Sequence, residues 1–535
     1  MNNHTANAFL YATIVAMGGL IFGLDAALIS GAEELIGKEF ALDSIQRGSI
    51  VAAPALGVLV ALPFAGFFAD RLGRKWTIII VAMLYLVSAI TSAFAPSATA
   101  LYWARFLGGL AFSSISLASM YIGEIAPPKW RGKLVSMTQI NIVIGLSGAY
   151  FVNYIIKHWA GSGAAWVQEW GINENTWRWM LGSEIPFAML WLGLLFLIPE
   201  SPYWYALKDR SEDTIRTLSK VLPEEEIAPH VAELRESLEK SSDDRSISSQ
   251  LNELFSSRMR LTFIIALTLA IAQQSTGINA VLFYAQTVFK QLGIGENAAF
   301  QSAVWLGLTG LLFTVLGLLL VDKLGRRPMI IWGMVWIIAS LGLGAYAFHN
   351  ARYVLTSEAI EEVTKTETAD DDNEEEKNTP DAEKLRSLAG EEFESDIAFK
   401  MAIKEALGKD EAADHQGLLL EKAARIDATL VLVCILSFIA AFHFSVGPVM
   451  WVLFSEIFPA SVRGIAIPFF TIITSLTSWL IQKFFPWQLE NWGMSSILLF
   501  YAATVAIGLV IMAFKLVETK NMSIEEIQAK LSPQG

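Results

Sequence analysis

DRLGRK, residues 70–75, closes an apolar run, and the chain writes it again as DKLGRR at residues 322–327. A second phrase repeats in step, EIAPPKWRG at 124–132 returning as EIFPASVRG at 456–464. Around these phrases lie apolar runs of the length that crosses hydrocarbon as a helix, about 20 residues for about 30 Å. They recur near 8–29, 48–69, 76–95, 99–121, 136–156 and 176–198, then near 261–288, 298–321, 327–348, 428–455, 465–486 and 495–517. Each repeated phrase follows the second or the fourth run of its set. The pattern predicts an all-α integral membrane fold, with twelve transmembrane helices in two six-helix pseudo-symmetric halves.

Composition agrees. Of 535 residues, 54% are hydrophobic and 17% charged, whereas soluble globular chains carry about a quarter charged residues. Residues 1–8 lack a positive n-region, so the first run reads as a retained helix rather than a signal peptide. Lys and Arg in short loops mark the cytoplasmic side, and here they are Arg71, Arg74 and Lys75, then Lys129, Arg131 and Lys133, then Lys323, Arg326 and Arg327, and finally Arg463. Even-numbered spans therefore end in the cytoplasm, and the expectation is an inner (plasma) membrane protein with both termini cytoplasmic. The single cysteine, Cys434, has no intramolecular partner and reads as a small packing residue.

The two repeats are offset by different amounts, 252 residues for the first phrase and 332 for the second, which sizes an insertion of 80 residues in the second half. Residues 351–425 hold 21 acidic and 10 basic side chains, a net −11 against −13 for the whole chain. Within them TETADDDNEEEKNTPDAEK (366–384) reads as disordered, and 391–409 has partial helical periodicity. The insert is either a plainly solvated acidic loop or an element that gathers cations or docks a partner. The expected organisation is an N-terminal half at 1–198, a cytoplasmic helical linker at 199–258, spans seven to nine at 259–349, the acidic outer insert at 350–425, spans ten to twelve at 426–519 and a cytoplasmic tail at 520–535. The linker offers no nucleophile with a base, no phosphate-cradling glycine loop and no metal-ligand spacing, which argues against an enzyme.

One side chain resists the apolar reading. GLIFGLDAALISGA, residues 19–32, carries Asp25 inside the first span, and a carboxylate inside the membrane is a functional candidate by default. This stretch is followed in order by FADRLGRK, RFLGGLAF, EIAPPKWRGKLVS, WRWMLGSEIP, PESPYW, QQSTGINAVLFYA, DKLGRR, GPVMWVLFSEIFPASVRG and VETKNMSIEEI. The series resembles the sugar porter family of the major facilitator superfamily over nearly the whole chain outside the insert. It is most like the family's bacterial xylose or hexose proton symporters. The resemblance implies two halves around a central cavity, alternating access, and a monosaccharide or polyol moved together with a proton. Family symporters hold an aspartate where Asp25 stands and pair it with an arginine matched by Arg105, while facilitative uniporters carry a neutral residue there. An Asp25–Arg105 pair that forms and breaks between conformations would let Asp25 hold and release a proton; the alternative is a static pair joining two helices.

QQSTGIN places Gln273, Gln274 and Asn279 in the seventh span. Amides donate and accept, as sugar hydroxyls do, and Gly277 permits a helix break that would bring their side chains together. The resemblance makes these three sugar contacts, the other reading being hydrogen bonds between helices. In GPVMW, Gly447 and Pro448 are expected to interrupt the tenth span and aim the Trp451 indole at the cavity, where a ring face suits a sugar's C–H face. By resemblance Phe22 and Phe442 are cavity aromatics and Gln139 a sugar-binding amide. Leu146, Gly310, Thr474 and Ser475 replace polar or aromatic family residues, which argues against xylose and leaves hexose or inositol open. The charges Asp70, Arg74, Glu124, Arg131, Asp322, Arg326, Glu456 and Arg463, with Glu200 of PESPYW, form a candidate cytoplasmic gate of bridges that break as the halves rock; otherwise they set topology and cap helices. Tyr203 stands where the family commonly has arginine. A non-transporting sensor fits less well, because about 18 residues follow the last run, too few for a signalling tail. The expected partners are a sugar or polyol, a proton and the lipid bilayer, with no nucleic acid, cofactor or metal, and the chain is read as a monomer.

Overall fold

The computed structural model describes residues 3–241, 247–365 and 380–531. Among them, eleven helices are long and apolar enough to cross a membrane. In the first half these are Asn3–Glu39, Ser44–Leu72, Arg74–Ala93, Ala98–Ile125 and Arg131–Ala160. The second half adds Ser257–Phe283, Glu296–Leu324, Arg326–His349, Ala428–Ile457, Ser461–Asn491 and Gly493–Lys515. The sixth crossing is built from two shorter helices, Thr176–Gly182 and Ile185–Leu195, so the chain has twelve spans. The single run expected at 176–198 is broken at Ser183 and Glu184 because Pro186, in the first turn of the second piece, has no N–H with which to continue a helix from before it.

Local chemistry explains where the spans start and how closely they pack. At the head of the second, Asp43 accepts from the Gln46 N–H at 2.8 Å and the Gln46 side chain accepts from the Asp43 N–H at 3.0 Å, a reciprocal cap. The first and fifth spans touch backbone to backbone, since a Cβ on Gly23 would lie 2.0 Å from the Ile142 carbonyl and one on Gly145 would lie 2.1 Å from that of Leu20. In a membrane, where lipid is as apolar as leucine, such small residues let dispersion hold helices together.

Four short linker helices, Pro202–Leu207, Ser211–Leu218, Glu224–Ser241 and Ile247–Leu254, join the halves on the face that carries the basic loops. The tail helix Ile524–Leu531 docks on that face through Gln528, which donates to the Ile457 carbonyl at 2.5 Å.

The insert is a folded unit with its own core of Tyr353, Leu385, Phe399, Ile403, Leu419 and their neighbours. Its strand Arg352–Val354 pairs antiparallel with Glu392–Phe393 on one side and Ala424–Arg425 on the other, so the sheet closes the insert at both chain ends. Neither sheet nor second core was legible as a pattern, because three strands of two or three residues have no periodicity. The helix Asp396–Leu407 falls where partial periodicity placed one. Of the stretch read as disordered, residues 366–379 lie outside the described ones; the rest is a correction, since Asp381 caps the helix Ala382–Arg386 with its side chain. The insert rests on the second half, where Lys400 donates to Gln291 at 3.1 Å and Asp396 fills the space beside Gly493.

Candidate functional site

Asp25 on the first span and Arg105 on the fourth meet as an ion pair at 3.2 Å, with 6% and 1% of their surfaces exposed. The contact is a single one. Asp25 Oδ2 and Arg105 Nε make no hydrogen bond with a described residue. Two charges taken out of water are recovered fully only when every lone pair and proton is matched, so burial leaves this pair incompletely compensated. Glu184, at the break in the sixth span, is buried within electrostatic reach of both, and its Oε1 also has no hydrogen-bond partner among the described residues. Sequence reasoning missed Glu184 although WRWMLGSEIP contains it; the rule that flagged Asp25, a carboxylate inside an apolar span, applies equally.

The amides of the seventh span form one polar row. Its helix stops at Ser275 and restarts at Ile278, with Gly277 between them at φ +79°. Across that break Asn279 donates to Gln274 Oε1 at 2.9 Å and to Ser478 Oγ of the eleventh span at 2.7 Å. Gln274 donates to Gln273 Oε1 at 3.2 Å, and Gln273 to the Gly447 carbonyl of the tenth span at 3.3 Å. The break expected at Gly277 is therefore real and brings the three amides together. A Cβ on Gly277 would lie 2.2 Å from the Tyr501 ring. Gly277→Ala should accordingly lower the thermal unfolding midpoint of the purified protein, through strain of at least about 1 kcal/mol in the left-handed region plus the clash; an unchanged midpoint would contradict this packing.

The tenth span breaks at Ser445, not at Gly447 and Pro448. Pro448 sits in the first turn of the resumed helix Val446–Ile457, where a missing N–H costs nothing. Trp451 on that helix is 40% exposed and Phe442 is buried just before the break. In the other half, Phe22 packs edge-on against Phe112 with centroids 4.4 Å apart, and Gln139 is half-buried with no hydrogen bond to a described residue. Thr474 turns its hydroxyl back to the Phe470 carbonyl at 2.9 Å, so the eleventh span's polar contribution is Ser478, one turn on. His443 escaped notice in the sequence. Its Nδ1 meets Thr314 Oγ1 at 3.0 Å, while Nε2 is buried without a partner among the described residues beside Gly310, where a Cβ would lie 3.2 Å away.

On the basic face the repeated phrases build two matching clusters. Arg74 reaches Asp70 at 2.8 Å and Glu124 at 3.0 Å; Arg326 reaches Asp322 at 3.0 Å and Glu456 at 2.7 Å. Both arginines follow a glycine with positive φ, Gly73 at +101° and Gly325 at +92°. Beside Gly73 lies Glu200, which accepts from the Lys75 N–H at 2.9 Å; beside Gly325 lies Glu518, which accepts from the Arg326 N–H at 3.0 Å. Each carboxylate thus caps a helix N-terminus. Burial pushes the Glu200 carboxyl above its ordinary range, against the pull of the backbone N–H groups it accepts from. Ser201 donates to Glu124, and Thr519 donates to Glu456 at 2.6 Å. Glu518 and Thr519 were not singled out, although aligning PES with VET would have paired them with Glu200 and Ser201. Tyr203 keeps a place here, its ring 5.3 Å from the Arg74 guanidinium carbon. Arg131 is exposed and Arg463 donates to the Phe458 carbonyl at 2.9 Å; neither forms an ion pair with a described residue. The cluster bridges stay within one half each, so among the described residues the expected bridges between halves are not made on this face.

On the opposite face, charges do cross. Lys290 binds Glu34 at 2.6 Å, Lys157 binds Glu296 at 2.8 Å and Arg47 approaches Glu490 at 3.7 Å. A cavity of about 580 Å³ opens there between Lys157, Asn173, Glu296 and Glu421 of the insert.

The sequence pattern of the sugar (and other) transporter family matches residues 11–383 and 415–531. The chain is 28% identical over 520 residues to the arabinose-proton symporter of Bacillus subtilis (strain 168), covering 97% of this chain and 94% of that one. It is likewise 28% identical over 577 residues to the D-xylose-proton symporter of Escherichia coli (strain K12), covering 100% and 98%. Its fold is similar to a partially occluded inward open conformation of the xylose transporter XylE from E. coli, with TM-score 0.70 and 25% identity over 97% of this chain and 100% of that one.

Proposed function

This chain belongs to the sugar (and other) transporter family, and from that membership we propose that it imports a monosaccharide or polyol by proton symport with alternating access. The observation that carries the reading is the buried, singly bonded Asp25–Arg105 pair. A proton arriving from outside neutralises Asp25, Arg105 turns to Glu184, and the first span is freed to move against the fourth. The sugar lies against Trp451 and exchanges hydroxyl hydrogen bonds with Gln273, Gln274 and Asn279, with Gln139, Phe22 and Phe442 completing its surroundings. Only when both are bound do the halves turn; an empty return would carry Asp25 deprotonated and paired again. The clusters around Arg74 and Arg326, with Glu200 and Glu518, brace the cytoplasmic ends of each half, Arg131 and Arg463 lying beside them as the gate's remaining charges. The protein works as a monomer in the inner membrane with both termini in the cytoplasm.

Purified protein reconstituted in liposomes loaded with one unlabelled sugar at a time tests the substrate class. Labelled glucose, galactose, fructose, xylose and myo-inositol are offered outside in trace amounts. A transient overshoot of label with one of the hexoses or with inositol is expected, because counterflow needs a shared site on a carrier. No overshoot with any of the five would contradict sugar transport.

A further inference from the structure

The face opposite the basic loops carries charges that neither the proton pair nor the sugar row uses. Sorted by half, they fall into a pattern. Lys290, at the end of Ala285–Lys290 after the seventh span, binds Glu34 of the first span at 2.6 Å and Glu296 of the eighth at 2.9 Å. Lys157 of the fifth span binds the same Glu296 at 2.8 Å. Arg47 at the head of the second span lies 3.7 Å from Glu33 of the first and 3.7 Å from Glu490 of the eleventh. Thr287 donates to Glu33. First against seventh, fifth against eighth and second against eleventh are the facing pairs of spans from the two halves, and each pair carries one bridge. The clusters of the basic face, by contrast, are closed within their own halves.

We infer that these bridges form an ionic lock with Lys290 at its hub, which holds the outer mouth shut and has to open before sugar reaches the central site. The inference rests on the alternating-access reading above. Glu33 explains why the lock has two states. Its side chain is 2% exposed and its Oε2, 3.7 Å from Arg47, makes no hydrogen bond with a described residue, so separation of the halves returns to water a carboxylate that closure leaves incompletely matched. Closure is held by several bridges at once, each only partly exposed, and a network of this kind holds better than an isolated surface pair. Lys290 stays charged throughout: burial pulls its ammonium down, but the Glu34 and Glu296 carboxylates outweigh burial and hold it above the usual lysine range. The sequence hid the lock because its members, separated by up to 457 residues from Glu33 to Glu490, each look like an ordinary helix-end charge.

Ser30 offers a reporter. It is 2% exposed and lines a slot of about 10 Å³ beneath Glu34 and Lys290. Ser30→Cys in a Cys434→Ala chain is reacted with a membrane-impermeant maleimide from outside, without sugar and without a proton gradient. Slow alkylation is expected in the parent. Lys290→Gln should speed it at least about tenfold, equivalent to about 1.4 kcal/mol, and Lys290→Arg, which keeps both bridges, should stay near the parent rate. Lys157→Gln, which breaks a bridge elsewhere on the mouth, should also speed it, and carries the test if Lys290→Gln does not yield monodisperse protein. Equal rates in parent, Lys290→Gln and Lys157→Gln would overturn the lock. Because alkylation needs no sugar, a failed lock leaves counterflow in the parent intact, whereas a failed transport reading removes counterflow without altering the alkylation pattern.

Discussion

Asp25→Asn is expected to abolish uphill accumulation of the sugar while sparing its exchange across the membrane. A unit charge moved through 100 mV is worth about 2.3 kcal/mol, so one coupled proton sustains roughly a 40- to 50-fold concentration ratio per 100 mV; the variant is expected to level off at a ratio of one. Asparagine has the shape of the protonated aspartate and keeps an oxygen for Arg105, which now holds Asp25 through one atom only, at 3.2 Å. Removing one charge of a buried pair ordinarily costs about 3–5 kcal/mol, but the retained amide oxygen can still accept from the Arg105 guanidinium, which keeps part of the contact. The protein should therefore still fold. Labelled sugar accumulation in energised cells, set beside exchange in the same cells, checks both halves of the expectation, and accumulation surviving in the variant would remove Asp25 from the coupling.

Gln274→Ala acts on the other part of the machine. Gln274 stands in the middle of the polar row, accepting from Asn279 at 2.9 Å and donating to Gln273 at 3.2 Å. Truncating it removes an amide that the proposed binding mode sets against sugar hydroxyls and costs Asn279 and Gln273 one hydrogen bond each, a loss of roughly 1–3 kcal/mol. That corresponds to an increase in KM of about one to two orders of magnitude, with the accumulation ratio at saturating sugar unchanged. A KM within twofold of the parent would make the row a set of interhelical hydrogen bonds and nothing more.

Most of the fold could be read from hydropathy and from two repeated phrases, because a bilayer demands long apolar helices and duplication places them in register. Local exceptions were harder. Pro186 announces the break in the sixth span only once its consequence for a continuous helix is considered, and Pro448 marks the break in the tenth but not its place, Ser445, three residues earlier. Asp25 and the amides of QQSTGIN were visible because polar atoms stand out in an apolar run. Glu184 stood out equally and was passed over, while His443 and Ser478 gain meaning only from neighbours on other spans. The insert's composition spoke of charge alone, and its core, built on Tyr353 and Phe399, emerged from packing that acidity masks.

Alkalinisation of the medium tests the central claim most directly. De-energised cells expressing the protein are placed in weakly buffered medium, and external pH is recorded as the sugar identified by counterflow is added. The proton-symport account predicts a prompt rise in external pH, saturating with sugar and absent in Asp25→Asn. A flat trace from the parent, while labelled exchange of the same sugar proceeds, would contradict it and leave a facilitative uniporter in which Asp25 and Arg105 only join two helices.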